Sequence, residues 1–168
     1  MTEQPAEAMA AARSSLEEEG EIAADYLEEF LDIVDMDGDI DIDVDHGRAV
    51  VAVVSEDKQD RELDRLVGPD GKVLDALQEL TRIAVQNRCG ERSRLMVDVA
   101  GFRAKRRQEL VQLAASAIEE VRAKGFNLPL EPMNAFERKV IHDEVAAAGL
   151  FSQSSGAEPD RYVVIRPA

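Results

Sequence analysis

Residues 61–85, RELDRLVGPDGKVLDALQELTRIAV, contain two helical patterns separated by a break that includes two glycines. A short apolar stripe ends at Val67, and a longer one, with apolar residues three and four positions apart, extends from Val73 to Val85. Gly68-Pro69-Asp70-Gly71 lies between them, and a Gly-x-x-Gly sequence by itself favours nothing more than a turn between helices. However, the first turn of a helix leaves unpaired N–H groups, and glycines allow a phosphate backbone to approach such groups closely.

The elements on either side of this stretch are predicted from the period of their apolar residues. An apolar stripe predicts a helix over about 21–35. Isoleucine and valine alternate with aspartate over 39–45, and this pattern predicts a hairpin with the apolar run over 49–54. Apolar alternation returns over 94–99 and predicts a further strand. The predicted order is helix, strand, strand, helix, Gly-x-x-Gly, helix, strand, or αββααβ.

The remainder of the chain predicts a long helix and a second small unit. The helix is predicted over about 103–124, and we interpret it as a spacer. Asn134 is predicted to cap a helix over 135–148, and a terminal hairpin is predicted from the runs 151–153 and 161–165. The expected divisions are a disordered acidic leader, a first α+β domain, a linking helix and a small α/β domain, over residues 1–20, 21–101, 102–125 and 126–168.

Composition and charge narrow the possible classes of protein. The 168 residues carry 20 Lys and Arg against 35 Asp and Glu, but residues 1–60 alone hold 19 acidic and three basic side chains. The single cysteine, Cys89, cannot form an internal disulfide, and no stretch approaches the roughly 20 apolar residues of a membrane helix. The acidic, polar start does not match a signal peptide. We therefore predict a cytoplasmic protein.

Positive charge is concentrated in residues 82–107, which we call the basic belt. The belt has eight basic residues, among them Arg103 and Arg106, and only two acidic ones. Such a belt is either a solvated surface or a binding surface for an anionic backbone.

A second group of residues that suggests binding lies near the carboxyl end. Arg138 and His142 are four residues apart, hence one turn apart on the same face of a helix, and we expect both to face water. A guanidinium beside an imidazole can grip a phosphate and contact an adjacent nucleotide, although this spacing also occurs on ordinary exposed helices. Pro132-Met133-Asn134 precedes the pair, and Ser155-Gly156-x-x-Pro159-x-Arg161-x-Val163-Val164-Ile165 follows it.

Together these carboxyl-terminal motifs resemble the small nucleic-acid-binding domain named for its Arg-x-x-x-His motif, the R-three-H domain. The αββααβ order with its Gly-x-x-Gly loop is similar to a type II KH domain, which clamps single-stranded nucleic acid. A KH domain followed by an R-three-H domain, joined by Gly101-Phe102-Arg103-x-x-Arg106, is the layout of the bacterial Jag/KhpB (EloR) family. The resemblance extends from about residue 21 to the end of the sequence.

The resemblance implies an α+β protein that binds single-stranded RNA, and single-stranded DNA remains an alternative ligand. It implies an RNA chaperone or post-transcriptional regulator tied to cell elongation, division and envelope regulation. The expected partner is a small single-KH protein or a second copy of the chain. Gly68, Gly71 and Lys72 would hold phosphates, and Arg138 and His142 would contact phosphate and base. Further RNA-binding residues expected from the two domains are Arg103, Arg106, Lys139, Ser155, Gly156 and Arg161.

The glycine loop departs from the family pattern, in which a basic residue is usual. Here the two middle positions are Pro69 and Asp70, and only Lys72 offsets the carboxylate locally. We therefore expect the KH domain to bind weakly, and Gly71→Asp to matter less than Arg138→Ala combined with His142→Ala. The acidic leader is hypothesised to compete with RNA for the basic surface.

No metal, cofactor or catalytic site is predicted. The aspartates over 35–41 resemble a calcium loop, but counting back from Gly38 puts Ile33 at the first ligand position and Val44 at the twelfth. These aspartates are better interpreted as the solvent-exposed face of an edge strand. Cys89 has no base nearby in sequence, and no nucleotide-binding fingerprint is present. The alternative to RNA regulation is a protein-interaction scaffold that dimerises through its KH domain and binds RNA weakly.

Overall fold

Each half of the chain builds its own sheet and its own apolar core. The computed structural model describes residues 4–57 and 61–168 and divides the chain into units of residues 1–103 and 104–168. Within the described residues, no helix is both long and apolar enough to cross a lipid bilayer. The helices are α1 (Gln4–Val34), α2 (Asp64–Val67), α3 (Lys72–Cys89), α4 (Phe102–Lys124) and α5 (Ala135–Ala147). The strands are β1 (Asp39–Asp45), β2 (Arg48–Val54), β3 (Met96–Val99), β4 (Leu128–Pro129), β5 (Phe151–Ser155) and β6 (Tyr162–Arg166).

The first unit is a three-stranded sheet with β2 at its centre. β2 pairs antiparallel with β1 and parallel with β3, so the connection from β2 to β3 must cross over. α2 and α3 lie in that crossover. Every second residue of β2, namely Ala49, Val51 and Val53, is fully buried in a core shared with α1 and α3. The predicted αββααβ order of a KH-like domain is therefore confirmed.

The aspartates of β1 lie on the exposed face of an edge strand, as predicted. Ile40 and Val44 are partly buried, whereas Asp39, Asp41 and Asp43 are exposed. The Asp43 carboxylate accepts a hydrogen bond from the N–H of Val44 at 2.7 Å. This bond occupies a backbone donor at the sheet edge, and the row of charge opposes pairing with another strand.

The prediction of a disordered leader over residues 1–20 is wrong for residues 4–20, which form the first half of α1. Alanine and glutamate dominate this stretch. Both residue types favour a helix, so a helix can form here without an apolar stripe. The helix is also held where it meets the first unit. Gly20 is buried so close to Ile42 that an added Cβ would lie 2.6 Å from its Cγ2, and Ser93 donates to the Glu19 carboxylate at 2.5 Å. Residues 1–3 of the predicted leader lie outside the described residues.

The second unit packs α4 and α5 against an antiparallel sheet of order β4-β6-β5. Its core combines residues of α4, α5 and β6, among them Leu110, Ala114, Val121, Val140, Ile141, Val145, Val163 and Ile165. The interpretation of residues 102–125 as a linking helix is therefore corrected. Only Phe102 and Arg103 belong to the first unit, and the rest of α4 helps to form the second core.

The start of α5 confirms the predicted cap. The Asn134 side chain accepts from the N–H of Glu137, and the Glu137 carboxylate accepts from the N–H of Asn134, both at 3.0 Å. This reciprocal capping box fixes where α5 begins. It thereby fixes the register of Arg138 and His142.

Candidate nucleic-acid interface

The turn between α2 and α3 has a backbone that few residue types can adopt. Gly68 has φ 68° and ψ −178°, a conformation open essentially only to glycine. Asp70 lies in the left-handed region at φ 56°, which aspartate tolerates better than most side chains. A Cβ at Gly68 would also lie 2.3 Å from Cγ2 of Val73. The conformation of this turn therefore restricts the residues at both positions.

The choice of residue at position 71 is restricted by packing as well as by backbone conformation. Gly71 is buried, its φ is 73°, and an added Cβ would lie 2.7 Å from Cε1 of the Phe102 ring. A side chain at this position would have to displace an aromatic ring. The ranking of Gly71→Asp below the Arg138→Ala and His142→Ala double variant considered charge alone, whereas an added side chain here also crowds Phe102.

The N-terminus of α3 opens into this turn without a side-chain cap. The N–H of Lys72 donates to the Pro69 carbonyl, and the positive end of the helix macrodipole faces this turn, so an anion-binding position here stays a prediction. Lys72 and Asp70 are both exposed and place opposite charges at its rim. Arg65 is also exposed, three residues before Gly68, and the sequence analysis overlooked it. Its nearness to the loop in sequence was the available signal.

The basic belt divides between the two units, and part of its charge is held inside them. Arg103 is buried, and its guanidinium donates to the carbonyl of Val97 at 2.8 Å and to the Asp75 carboxylate at 3.2 Å. Assigning Arg103 to RNA binding is therefore corrected, since its hydrogen bonds fix the start of α4 to the first unit. Arg106 is half-buried and binds the carboxylates of Glu137 and Glu109 at 2.8 and 2.9 Å.

Five of the other six cations of the belt remain at the surface, whereas Arg82 is half-buried and paired with Glu79. Within residues 4–57 and 61–168, no carboxylate forms an ion pair with five exposed members of the belt, which are Arg88, Arg92, Arg94, Lys105 and Arg107. These five side chains, rather than Arg103, present the belt's positive charge to solvent.

Arg138 does not face water, contrary to our expectation. Only 8% of the residue is exposed. Its Nη1 donates to the carbonyl of Met133 at 2.7 Å, and its Nη2 donates to Glu158 Oε1 at 2.6 Å. The guanidinium thus joins α5 to the segment before it and to the turn between β5 and β6.

His142 is half-buried and is held against β5. Its Nδ1 lies 2.6 Å from Ser152 Oγ, and its Nε2 lies 2.8 Å from Ser154 Oγ. Burial lowers the pKa of His142, and the positive charge of Arg138 lowers it further. The ring is therefore neutral at pH 7, so one nitrogen donates and the other accepts. It positions two serines of β5 and does not supply a cation.

The remaining predicted residues lie in two places. Lys139 is exposed on α5 and binds the Asp143 carboxylate at 2.9 Å. Gly156, with φ 83°, and Arg161 are brought together in the turn between β5 and β6, where Arg161 Nη1 lies 3.4 Å from the carbonyl of Gly156. Ser155 ends β5 and is half-buried.

Sequence reasoning missed three residues that hold this motif together. Ser152 and Ser154 bind the imidazole, and their alternate spacing on a predicted strand was the only signal for it. Glu158 binds Arg138, but nothing in its spacing indicated that contact. Within the described ranges, no group of three or more histidine, cysteine or acidic side chains could hold a metal ion.

An αββααβ unit with a Gly-x-x-Gly turn, followed by a unit that carries Arg-x-x-x-His on a capped helix, defines a protein with a KH domain and an R-three-H domain. Comparison with known families agrees, because residues 108–167 match the R-three-H domain. This match begins within α4, as does the second structural unit. The chain belongs to the Jag/KhpB family.

Its relatives share about a third of the aligned residues. The chain is 30% identical to the RNA-binding protein KhpB of Clostridium symbiosum over 85% of its own length and 64% of that protein. It is 35% identical to the KhpB of Lactiplantibacillus plantarum over 74% of its own length and 38% of that protein. It is 34% identical to the KhpB of Bacillus subtilis over 60% of its own length and 50% of that protein. The matched region thus spans between 38% and 64% of these relatives.

Proposed function

We propose that this protein binds single-stranded RNA and regulates it without catalysing a reaction. The observation that carries the proposal is the turn at residues 68–71, which leaves the α3 N-terminus without a side-chain cap. A phosphate can there accept hydrogen bonds from backbone N–H groups, with Lys72 and Arg65 beside it. The relatives named as RNA-binding proteins support RNA as the ligand.

The second unit contributes through its surface cations more than through its buried motif. Lys105, Arg107 and Lys139 are exposed, whereas Arg138 is enclosed by the Met133 carbonyl and the Glu158 carboxylate. For a phosphate to reach Arg138, it must displace Glu158, which is itself well exposed. We therefore assign Arg138 and His142 to shaping this surface, with direct contact by Arg138 only after that displacement.

The cellular role and the partner are proposed from the family resemblance and not from the geometry of the site. We propose a cytoplasmic RNA chaperone or post-transcriptional regulator that acts on cell elongation, division and the envelope. Its proposed partner is a small single-KH protein or a second copy of the chain. The supporting observations are the layout of a KH unit followed by an R-three-H unit in this chain and its similarity to proteins named KhpB.

The test is a salt titration of RNA binding by the whole chain and by Asp70→Asn. Asparagine keeps the left-handed backbone and removes a negative charge beside the phosphate position. A charge about 4 Å away in water is worth about 1 kcal/mol, so Asp70→Asn should tighten binding about five-fold at low salt. Fluorescence anisotropy of a labelled single-stranded oligouridine measures both affinities.

The matched control is Asp41→Asn, which removes the same charge from the exposed face of β1. This variant should change affinity less than Asp70→Asn does. For the wild type, log K should fall with log salt by about 0.7 for each phosphate contact. A salt-independent affinity, or no binding at all, would contradict the proposed function.

A second candidate function, a scaffold that dimerises through the KH unit, is favoured by the surface of α3. Val73, Leu80 and Ile83 share one side of this helix, and each is 41–53% exposed. Val73 and Leu80 belong to the apolar pattern over residues 73–85, but the core is reached by Leu74, Leu77 and Val85. An apolar stripe on a surface helix is typical of a contact with another protein.

Leu80→Glu tests this candidate, because it places a charge in the exposed stripe at little cost to the fold. If α3 joins two copies of the chain, sedimentation should show a wild-type dimer and a monomeric variant. Gln108→Glu adds the same charge at an exposed position outside α3 and should leave the dimer intact. A monomeric wild-type protein at micromolar concentration would exclude self-association as the basis of a scaffold.

A further inference from the structure

The sheet of the second unit has one face on its core and another whose residues are exposed or half-buried. Val163 and Ile165 are fully buried, so the residues that alternate with them on β6 lie on the opposite face. Strand register places three residues of β5 beside them on that same face. We call this surface the outer face, and its members are Phe151, Gln153, Ser155, Tyr162, Val164 and Arg166.

The outer face is separate from the Arg-x-x-x-His motif. Ser152 and Ser154, which bind His142, alternate with the outer-face residues of β5 and lie on the core side of the sheet. Arg138 likewise binds groups outside this face. Of the residues that the sequence predicts to bind RNA, only Ser155 belongs to the outer face.

An exposed aromatic ring and a fixed guanidinium lie side by side on the outer face. Phe151 is 65% exposed, and it is the cross-strand partner of Arg166. Directly paired residues have Cβ atoms about 5 Å apart, so the two side chains are neighbours. Arg166 Nη2 also donates to Gln153 Oε1 at 2.7 Å, which holds the guanidinium on this surface.

The composition of the outer face fits a ligand with planar rings and negative charge. None of its six residues is acidic, although the whole chain has 35 acidic and 20 basic side chains. Tyr162 pairs with Ser155, four residues along β5 from Phe151, so the two aromatic residues are separated by roughly 13 Å. Two rings at that separation suit successive contacts along an extended strand, because every base has a face that can stack on an aromatic ring.

We propose that the outer face is a stacking platform for unpaired bases, with Phe151 as its main ring and Arg166 as its phosphate contact. This inference rests on the proposed RNA-binding function and adds a base-contacting site to it. The platform tolerates any base sequence, since it offers ring faces and charge in place of base-edge hydrogen bonds.

The test compares Phe151→Ala with Phe126→Ala in the whole chain. Loss of one stacking ring costs a single-stranded ligand about 5- to 150-fold in affinity, so Phe151→Ala should bind labelled oligouridine that much more weakly. Phe126 is 69% exposed but is not a member of the outer face, so its alanine variant should bind like the wild type. Phe151→Tyr retains a ring and should restore the affinity to near the wild-type value.

An abasic oligomer with the same backbone separates stacking from charge. Wild type and Phe151→Ala should bind it equally, whereas Arg166→Gln should weaken both the abasic and the complete ligand. Equal binding of oligouridine by wild type and Phe151→Ala would overturn the platform while leaving the proposed function intact. Conversion of a wild-type dimer into a monomer by Phe151→Ala, with RNA affinity unchanged, would identify the face as a protein contact and also overturn it. Failure of the wild type to bind any oligomer would overturn both proposals.

Discussion

Replacing Arg138 with alanine is expected to lower the free energy of unfolding of the second unit by about 2–4 kcal/mol. The change removes two charge-assisted hydrogen bonds, one to the Met133 carbonyl and one to Glu158. It leaves the enclosed carbonyl without this donor, and an unsatisfied buried acceptor is costly. Urea denaturation followed by circular dichroism measures the loss.

Lys139→Ala is the matched control, because Lys139 is the next residue of α5 and its ion pair with Asp143 is exposed. Its effect on stability should stay below about 0.5 kcal/mol. The loss of stability in Glu158→Gln should lie between those of Arg138→Ala and Lys139→Ala, since glutamine can still accept a hydrogen bond from the guanidinium. An Arg138→Ala protein as stable as Lys139→Ala would show that the hydrogen bonds of Arg138 do not support the fold.

This expected loss also changes how RNA-binding data on Arg138 should be interpreted. A weaker affinity of Arg138→Ala would arise from a disturbed second unit as readily as from a lost phosphate contact. Glu158→Gln separates the two explanations, because it weakens the competitor for the guanidinium without removing it. Tighter RNA binding by Glu158→Gln would support direct contact between Arg138 and a phosphate.

Gly71→Ala is expected to destabilise the first unit by about 2–4 kcal/mol, through strain and crowding together. The backbone at φ 73° disfavours any Cβ, and this Cβ would lie 2.7 Å from the Phe102 ring. Thermal and urea unfolding measure the total effect. RNA binding should fall as well, since the ring can yield only by disturbing the turn next to the α3 N-terminus.

Gly47→Ala separates the two causes, because Gly47 has φ 71° but would present its Cβ to open space. It should cost only the conformational part, about 1 kcal/mol. Adding Phe102→Leu to Gly71→Ala should recover part of the difference between the two glycine variants, because the smaller side chain makes room. Equal costs for Gly71→Ala and Gly47→Ala would contradict the role given to Phe102.

The fold of the first unit could be predicted because its local patterns agree with its tertiary structure. Alternation over β1, the apolar run of β2, the glycine turn and the stripe of α3 each indicated the element that forms. The extent of α1 could not be predicted from periodicity, since an exposed helix of alanine and glutamate needs no apolar stripe. The role of α4 in the second core was missed, because an apolar stripe shows that one face of a helix is buried but not which other elements it packs against.

The candidate site was predicted in its residues but not in their environment. The spacing of Arg138 and His142 placed both on one face of α5, and the motif around them identified the domain. Whether that face meets solvent depends on Glu158 and on two serines of β5, which lie 10 to 20 residues away in sequence. Spacing along one helix carries no information about such partners.

The continuity of α1 limits what its acidic first half can do. A flexible tail can fold back and occupy a cationic groove, whereas residues 4–19 continue as one helix from the contact at Gly20. At 1.5 Å per residue, this extension is roughly 24 Å long. We therefore expect its carboxylates to act as a fixed spine that repels approaching polyanions, and not as a mobile mimic of nucleic acid.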